Sequence, residues 1–167
     1  RGYVVGAFDF PADNIRDLIP GPDGSAVVAT TPIDLSAARR PVQASLFLGH
    51  LLSMPLPAGL RVNPDLIGTG GMSMGGFTSL AINSVDRRPK ASFPICPMYG
   101  DRSMVPQIGR LGKLLRVDNW HRPVPTCLLT GELDPLVNVE DMKAHYGQME
   151  APKRLVVLRR AGHMHFA

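Results

Sequence analysis

Cysteine is almost absent: Cys96 and Cys127 are the two in 167 residues. Their spacing gives neither a Cys-x-x-Cys redox motif nor the clustered cysteine and histidine pattern of a metal site. Both sit in apolar, strand-like stretches, which favours two buried free thiols over a disulfide. Such thiols fix no compartment. Long apolar runs are missing too. None approaches the roughly 18 residues that a membrane-spanning helix needs. Arg1 leads directly into strand-like sequence, with no leader pattern. Internal repeats and low-complexity tracts are also lacking.

Concentrated charge is another absence. The net charge is +4 and the sequence pI about 9.4. The basic residues are nevertheless scattered in short pairs such as Arg39–Arg40, Arg87–Arg88 and Arg159–Arg160. No basic helix or RNA-binding signature appears, so a solvated basic surface is expected and no nucleic-acid partner. Hydrophobic residues make up 44% and charged residues 19%, a globular balance rather than a disordered one. The length suits one domain over 1–167 with a sizeable core.

The apolar pattern is that of alternating strands and helices. Residues 3–8 (YVVGAF) form a short, nearly continuous apolar run, as expected of a strand buried on both faces. Residues 11–33, rich in proline, glycine and aspartate, read as loop. Asp34 or Ser36 would cap a helix running to about Met54, with Pro41 in its first turns. Short strands are expected at 66–69, 91–98, 126–130 and 154–158, and helices at about 76–85 and 138–149. Residues 99–123 read as an irregular insertion. The alternation predicts a three-layer, doubly wound, mostly parallel α/β sheet with helices on both faces.

The informative turn is Gly71-Met72-Ser73-Met74-Gly75-Gly76, between an expected strand and an expected helix. There a G-x-S-x-G match has physical content. A serine at a sharp strand-to-helix turn is forced into a strained conformation, with its hydroxyl above the end of the sheet. Side chains two positions before and after would collide, hence Gly71 and Gly75. The amide of Met74 lies at the helix start, where it can stabilise an oxyanion. A plain glycine-rich turn or phosphate cradle is the bland alternative. The dinucleotide fingerprint fails at its second glycine, where Ser73 stands, and the lysine of a phosphate-binding loop is absent.

A serine needs a base, and the base an orienting carboxylate. Asp134 follows the strand at 126–130 and His163 the strand at 154–158, both just past the carboxyl ends of strands, where a doubly wound sheet puts its ligands. Alternatives stay open: Glu132 as the acid, His165 as the base, or Asp134 as a simple turn cap. His50 and His145 fall within helices and suit core or surface roles. His121 lies in the insertion.

These motifs resemble the α/β-hydrolase superfamily, and within it the dienelactone-hydrolase-like and cutinase-like esterases. Asn63-Pro64-Asp65-Leu66-Ile67-Gly68 leading into GMSMGG looks like the strand before the family nucleophile. Gly131-Glu132-Leu133-Asp134 resembles its acid turn, Ala161-Gly162-His163 its histidine turn, and Arg1-Gly2-Tyr3-Val4-Val5 a strand ending in Asp-x-Pro. Met72 stands where the family often has histidine. Dienelactone hydrolases proper carry a cysteine nucleophile, so Ser73 points to the esterase side.

The resemblance also implies earlier strands, a second oxyanion amide from a loop among them, and a final helix, none of which is visible here. The expectation is a hydrolase fold truncated at both ends, with a further segment or a second copy completing the sheet. The implied activity is ester hydrolysis by Ser73, His163 and Asp134 on a small-molecule substrate. Met72, Met74, Met104 and Trp120 are candidates to line an apolar pocket. Thioesterase or peptidase chemistry, or a non-catalytic binding role, are the alternatives. No cofactor or metal is required.

Overall fold

The computed structural model describes residues 3–8, 10, 18–19, 28–29, 33–102, 120, 122–150 and 152–166. Its centre is a four-stranded parallel sheet of β3 (Gly68–Met72), β4 (Ala91–Ile95), β5 (Thr126–Gly131) and β6 (Lys153–Leu158), in that spatial order. Sequential strands lie side by side, each pair linked by a crossover. A separate two-residue antiparallel pair, β1 (Leu18–Ile19) with β2 (Val28–Ala29), lies within the stretch expected to be loop. Of the insertion expected at 99–123, residues 103–119 and 121 lie outside the described residues, and Met104 and His121 with them.

Among the described residues three α-helices accompany the sheet: α1 (Ile33–Ser53), α2 (Met74–Ala81) and α3 (Val139–Gln148). Phe77, Leu80 and Ala81 of α2 pack with Ala37 of α1, Leu128 of β5, Met98 and Met149, and Leu155 of β6 joins from the side. Each large apolar side chain buried this way stabilises the fold by about 1.5–3 kcal/mol. The strands alternate accordingly. Ser92 and Pro94 of β4 are buried, whereas Ala91 and Phe93 are exposed. The α/β class read from the sequence is the one observed.

Several boundaries differ for identifiable reasons. α1 begins at Ile33, before either expected cap, so Pro41 sits in its third turn and removes the hydrogen bond to the Ala37 carbonyl. The first central strand starts at Gly68 rather than 66, because Asn63 folds the chain into a turn. Its side chain accepts from the Asp65 amide and its carbonyl from Leu66. Pro94 lies inside β4. The amides of Ser92 and Cys96 donate to Pro125 and Leu129 of the β5 side, and Pro94 between them has none to give. α3 is as expected, with the Asn138 side chain capping it by accepting from the Glu140 amide.

The largest correction concerns residues 3–8. They form no strand, and Tyr3 and Val5 are 97% and 87% exposed. The segment lies along α1, with Phe8 stacked on Phe47 at 4.4 Å and Gly6 against Leu51 and Phe47. An apolar run becomes a strand only where a neighbour takes its backbone hydrogen bonds. Among the described residues, none pairs with it.

Candidate active site

Ser73 links β3 to α2 with φ 57° and ψ −117°, a conformation that costs energy in any residue with a side chain. Backbone hydrogen bonds hold it there. Its amide donates to Ile95 at 2.9 Å, and its carbonyl accepts from Phe77 at 2.9 Å and Met98 at 3.0 Å. A Cβ on Gly71 would lie 2.6 Å from the Gly75 carbonyl carbon. Gly75 itself, expected to be required, has open space where its Cβ would stand. Gly76 is the constrained position instead, its would-be Cβ 2.8 Å from the Ile95 oxygen and 2.9 Å from Pro97 Cα. Met74 is the first residue of α2, so its amide has no intrahelical acceptor.

Asp134 and His163 are brought together. Asp134 Oδ1 accepts from the amides of Leu136 at 2.8 Å and Val137 at 2.9 Å. Oδ2 lies 2.7 Å from His163 Nδ1, and both residues are buried. A carboxylate already accepting two amides acts as acceptor on its other oxygen too, which places the imidazole proton on Nδ1. The two turns are tied by backbone bonds, Glu132 N to Leu158 O and Leu133 N to Ala161 O. The rival residues are engaged elsewhere. Glu132 is exposed and accepts from the Arg160 amide, and His165 is exposed with Nδ1 accepting from the Gly162 amide.

Ser73 and His163 do not meet in a hydrogen bond. They follow the two edge strands of the four, β3 and β6, and Cys96 stands after β4 between them. Sequence reasoning missed Cys96 here, because the strand expected at 91–98 ran past it, whereas β4 ends at Ile95. Its φ is +39°, it is fully buried, and one donor atom each of Cys96, Asp134 and His163 lie within 4.8 Å of one another. Burial first, then Asp134, push its thiol up to about 12. It is therefore protonated at neutral pH and no rival nucleophile. Neither cysteine forms a disulfide, and Cys127 is half-buried.

Met72 is half-buried at the end of β3. Met74 and Trp120 pack against the core around Phe77 and Leu128. Met104 lies outside the described residues. A groove of about 510 Å³, lined by Gly68, Phe93, Thr126, Cys127 and Arg154 among others, sits at the amino ends of the strands, the opposite end from Ser73. His145 is buried in the core against Tyr99, at 4.4 Å between ring centroids, and burial lowers its pKa to about 4. His50 is exposed near the end of α1.

No protein-family model matches the chain, and no curated protein matches it by sequence. Solved structures do match by shape. DcsB, in complex with its substrate analogue, superposes over 83% of this chain with a TM-score of 0.60 at 16% identity. The α/β hydrolase GrgF from Penicillium sp. sh18 covers 77% of the chain with a TM-score of 0.59 at 19% identity. The chain spans 69% of the length of the first and 65% of the second. With its parallel sheet, its strained turn before α2 and these neighbours, the chain has the α/β-hydrolase fold.

Proposed function

We propose that the chain is a serine hydrolase that cleaves carboxylic esters through an acyl-enzyme, with Ser73 as nucleophile, His163 as base and Asp134 as its orienting acid. The observation that carries this reading is the 2.7 Å contact between His163 Nδ1 and an Asp134 carboxylate whose other oxygen is fixed by two amides. It lies on the same sheet crest as a serine in a strained turn. With Nδ1 protonated, the lone pair of Nε2 is free to accept the serine proton.

In this mechanism Ser73 attacks the ester carbonyl as His163 Nε2 takes its proton. Asp134 stabilises the imidazolium that results. The Met74 amide, at the start of α2, donates to the oxyanion. His163 returns the proton to the leaving alcohol, and water repeats the sequence on the acyl-enzyme. Among the described residues no strand pairs with the outer edge of β3, and this edge and the need for a second oxyanion donor fit a further segment, or a second copy, that completes the sheet. The lack of a hydrogen bond between Ser73 and His163 favours a second reading, a non-catalytic binding protein on the same fold.

Stopped-flow hydrolysis of p-nitrophenyl esters of graded chain length tests the proposal. A burst of nitrophenol stoichiometric with protein, lost in Ser73→Ala, is the expected result. Turnover unchanged in Ser73→Ala would refute it. A matched thioester and peptide panel separates thioesterase and peptidase chemistry on the same residues.

A further inference from the structure

The crest that carries Asp134 and His163 also carries a thiol. One donor atom from each of Cys96, Asp134 and His163 lies within 4.8 Å of the other two, and all three residues are buried. The three follow β4, β5 and β6, and the backbone holds each in place. The Cys96 amide donates to Leu129 at 2.8 Å, the Leu136 and Val137 amides fix Asp134, and the residues before His163 are bonded to the acid turn. We propose that this thiol–carboxylate–imidazole cluster is a binding site for a thiophilic divalent cation, with zinc as the reference ion.

The donor set argues for that class. Sulfur, nitrogen and oxygen together suit a borderline-soft ion, whereas magnesium and calcium need more oxygen ligands than one carboxylate offers. In a tetrahedral zinc site with bonds of about 2.0–2.3 Å, neighbouring ligand atoms stand about 3.3–3.8 Å apart. Donors already within 4.8 Å need side-chain adjustments of about 1 Å, which rotation about χ angles supplies. The charges also balance. One thiolate and one carboxylate offset a dication in a site where an unpaired charge is costly. Three protein ligands leave the fourth position to water.

Binding exchanges bonds without any redox change. The Cys96 S–H bond breaks, its proton passes to solvent, and a sulfur–metal bond forms. The His163 proton moves from Nδ1 to Nε2 through solvent, and the freed Nδ1 lone pair binds the ion. Asp134 Oδ2 exchanges its hydrogen bond to His163 for the metal. The ion thus occupies the acid and ties up the base, and it silences hydrolysis wherever the proposed triad operates. That consequence rests on the functional reading above. The binding itself does not.

The test therefore uses Ser73→Ala, which keeps all three donors and cannot turn over. Titration with cobalt(II), followed by absorbance, should give a thiolate-to-cobalt charge-transfer band at one equivalent, discharged by zinc. Cys96→Ser should abolish the band and weaken cobalt binding by about 100-fold, since even an outer-shell change costs about 10–100-fold. Cys127→Ser should leave both unchanged. Cobalt bound without a thiolate band, or bound equally by folded Cys96→Ser, overturns the proposal. If Cys96→Ser does not fold, His163→Gln decides: a lost band supports the site, and an unchanged spectrum overturns it.

Discussion

The carboxylate of Asp134 faces two ways: one oxygen is fixed by the amides of Leu136 and Val137, and the other lies 2.7 Å from His163 Nδ1. The amides make the acid a rigid part of its turn rather than a mobile side chain. The ring of His163 is thereby held in one orientation before any substrate arrives.

Asp134→Asn tests that relationship. Asparagine matches the shape and can keep the two amide contacts, but its NH2 group faces the ring and selects the other tautomer. Ester hydrolysis should fall by about 10³–10⁴-fold with the melting temperature little changed. A loss below about tenfold would show that the acid does not orient the base.

The glycines of the turn make opposite predictions. Gly75→Ala meets open space inside a helix and should change stability by no more than about 1 kcal/mol. Gly76→Ala places its methyl against the Ile95 oxygen and Pro97 Cα, both backbone atoms that cannot turn aside. Its cost should be about 2–3 kcal/mol or more in urea unfolding. Equal effects of the two substitutions would contradict the packing described.

Arg88 clamps the segment between α2 and β4 to α1. Its guanidinium donates to both oxygens of Asp86 and to the Ser45 carbonyl, and the Ser45 hydroxyl donates to Asp86. Burial pushes the Asp86 carboxyl up, but the hydrogen bonds from Arg88 and Ser45 outweigh it and hold the pKa at about 2, below the ordinary 3.8. A depressed carboxyl stabilises the fold above pH 3.8, and that stability is lost as pH falls towards about 2. The size is about 2 kcal/mol. Arg88→Ala should lose a similar amount at neutral pH and show a flatter acid limb in urea melts. An unaltered acid limb would disconnect Asp86 from Arg88.

Cys96 and Cys127 should differ in reactivity. Cys96 is fully buried and protonated at neutral pH, whereas Cys127 is half-buried on β5. Maleimide labelling of the native protein, mapped by peptide mass, should modify Cys127 first and Cys96 only in denaturant. Rapid native labelling of Cys96 would mean that the crest is open.

Much of this was legible in the sequence where local signals are strong. Asn138 announces α3 through its capping side chain, and the strands at β5 and β6 are β-branched or apolar runs bounded by proline and glycine. The pairing of Asp134 with His163 could be expected because each follows its own strand. What escaped the reading depends on neighbours distant in sequence. Residues 3–8 have strand composition but no strand beside them, so propensity alone misled. The strand expected at 66–69 runs instead over GTGGM, because β4 pairs along those residues and their glycines admit Phe93 and α2 at close range. Cys96 looked like a core thiol, and only the order of β4, β5 and β6 sets it beside the acid and the base. Trp120, a pocket candidate, is half-buried and packs against the core around Phe77 and Leu128.

The most direct measurement is covalent labelling of the purified protein with a fluorophosphonate, with the adduct located by peptide mass spectrometry. The account predicts a single adduct on Ser73 that is absent in Ser73→Ala and strongly slowed in His163→Ala. No adduct on Ser73 in a protein shown to be folded, or labelling that is indifferent to His163, would contradict it.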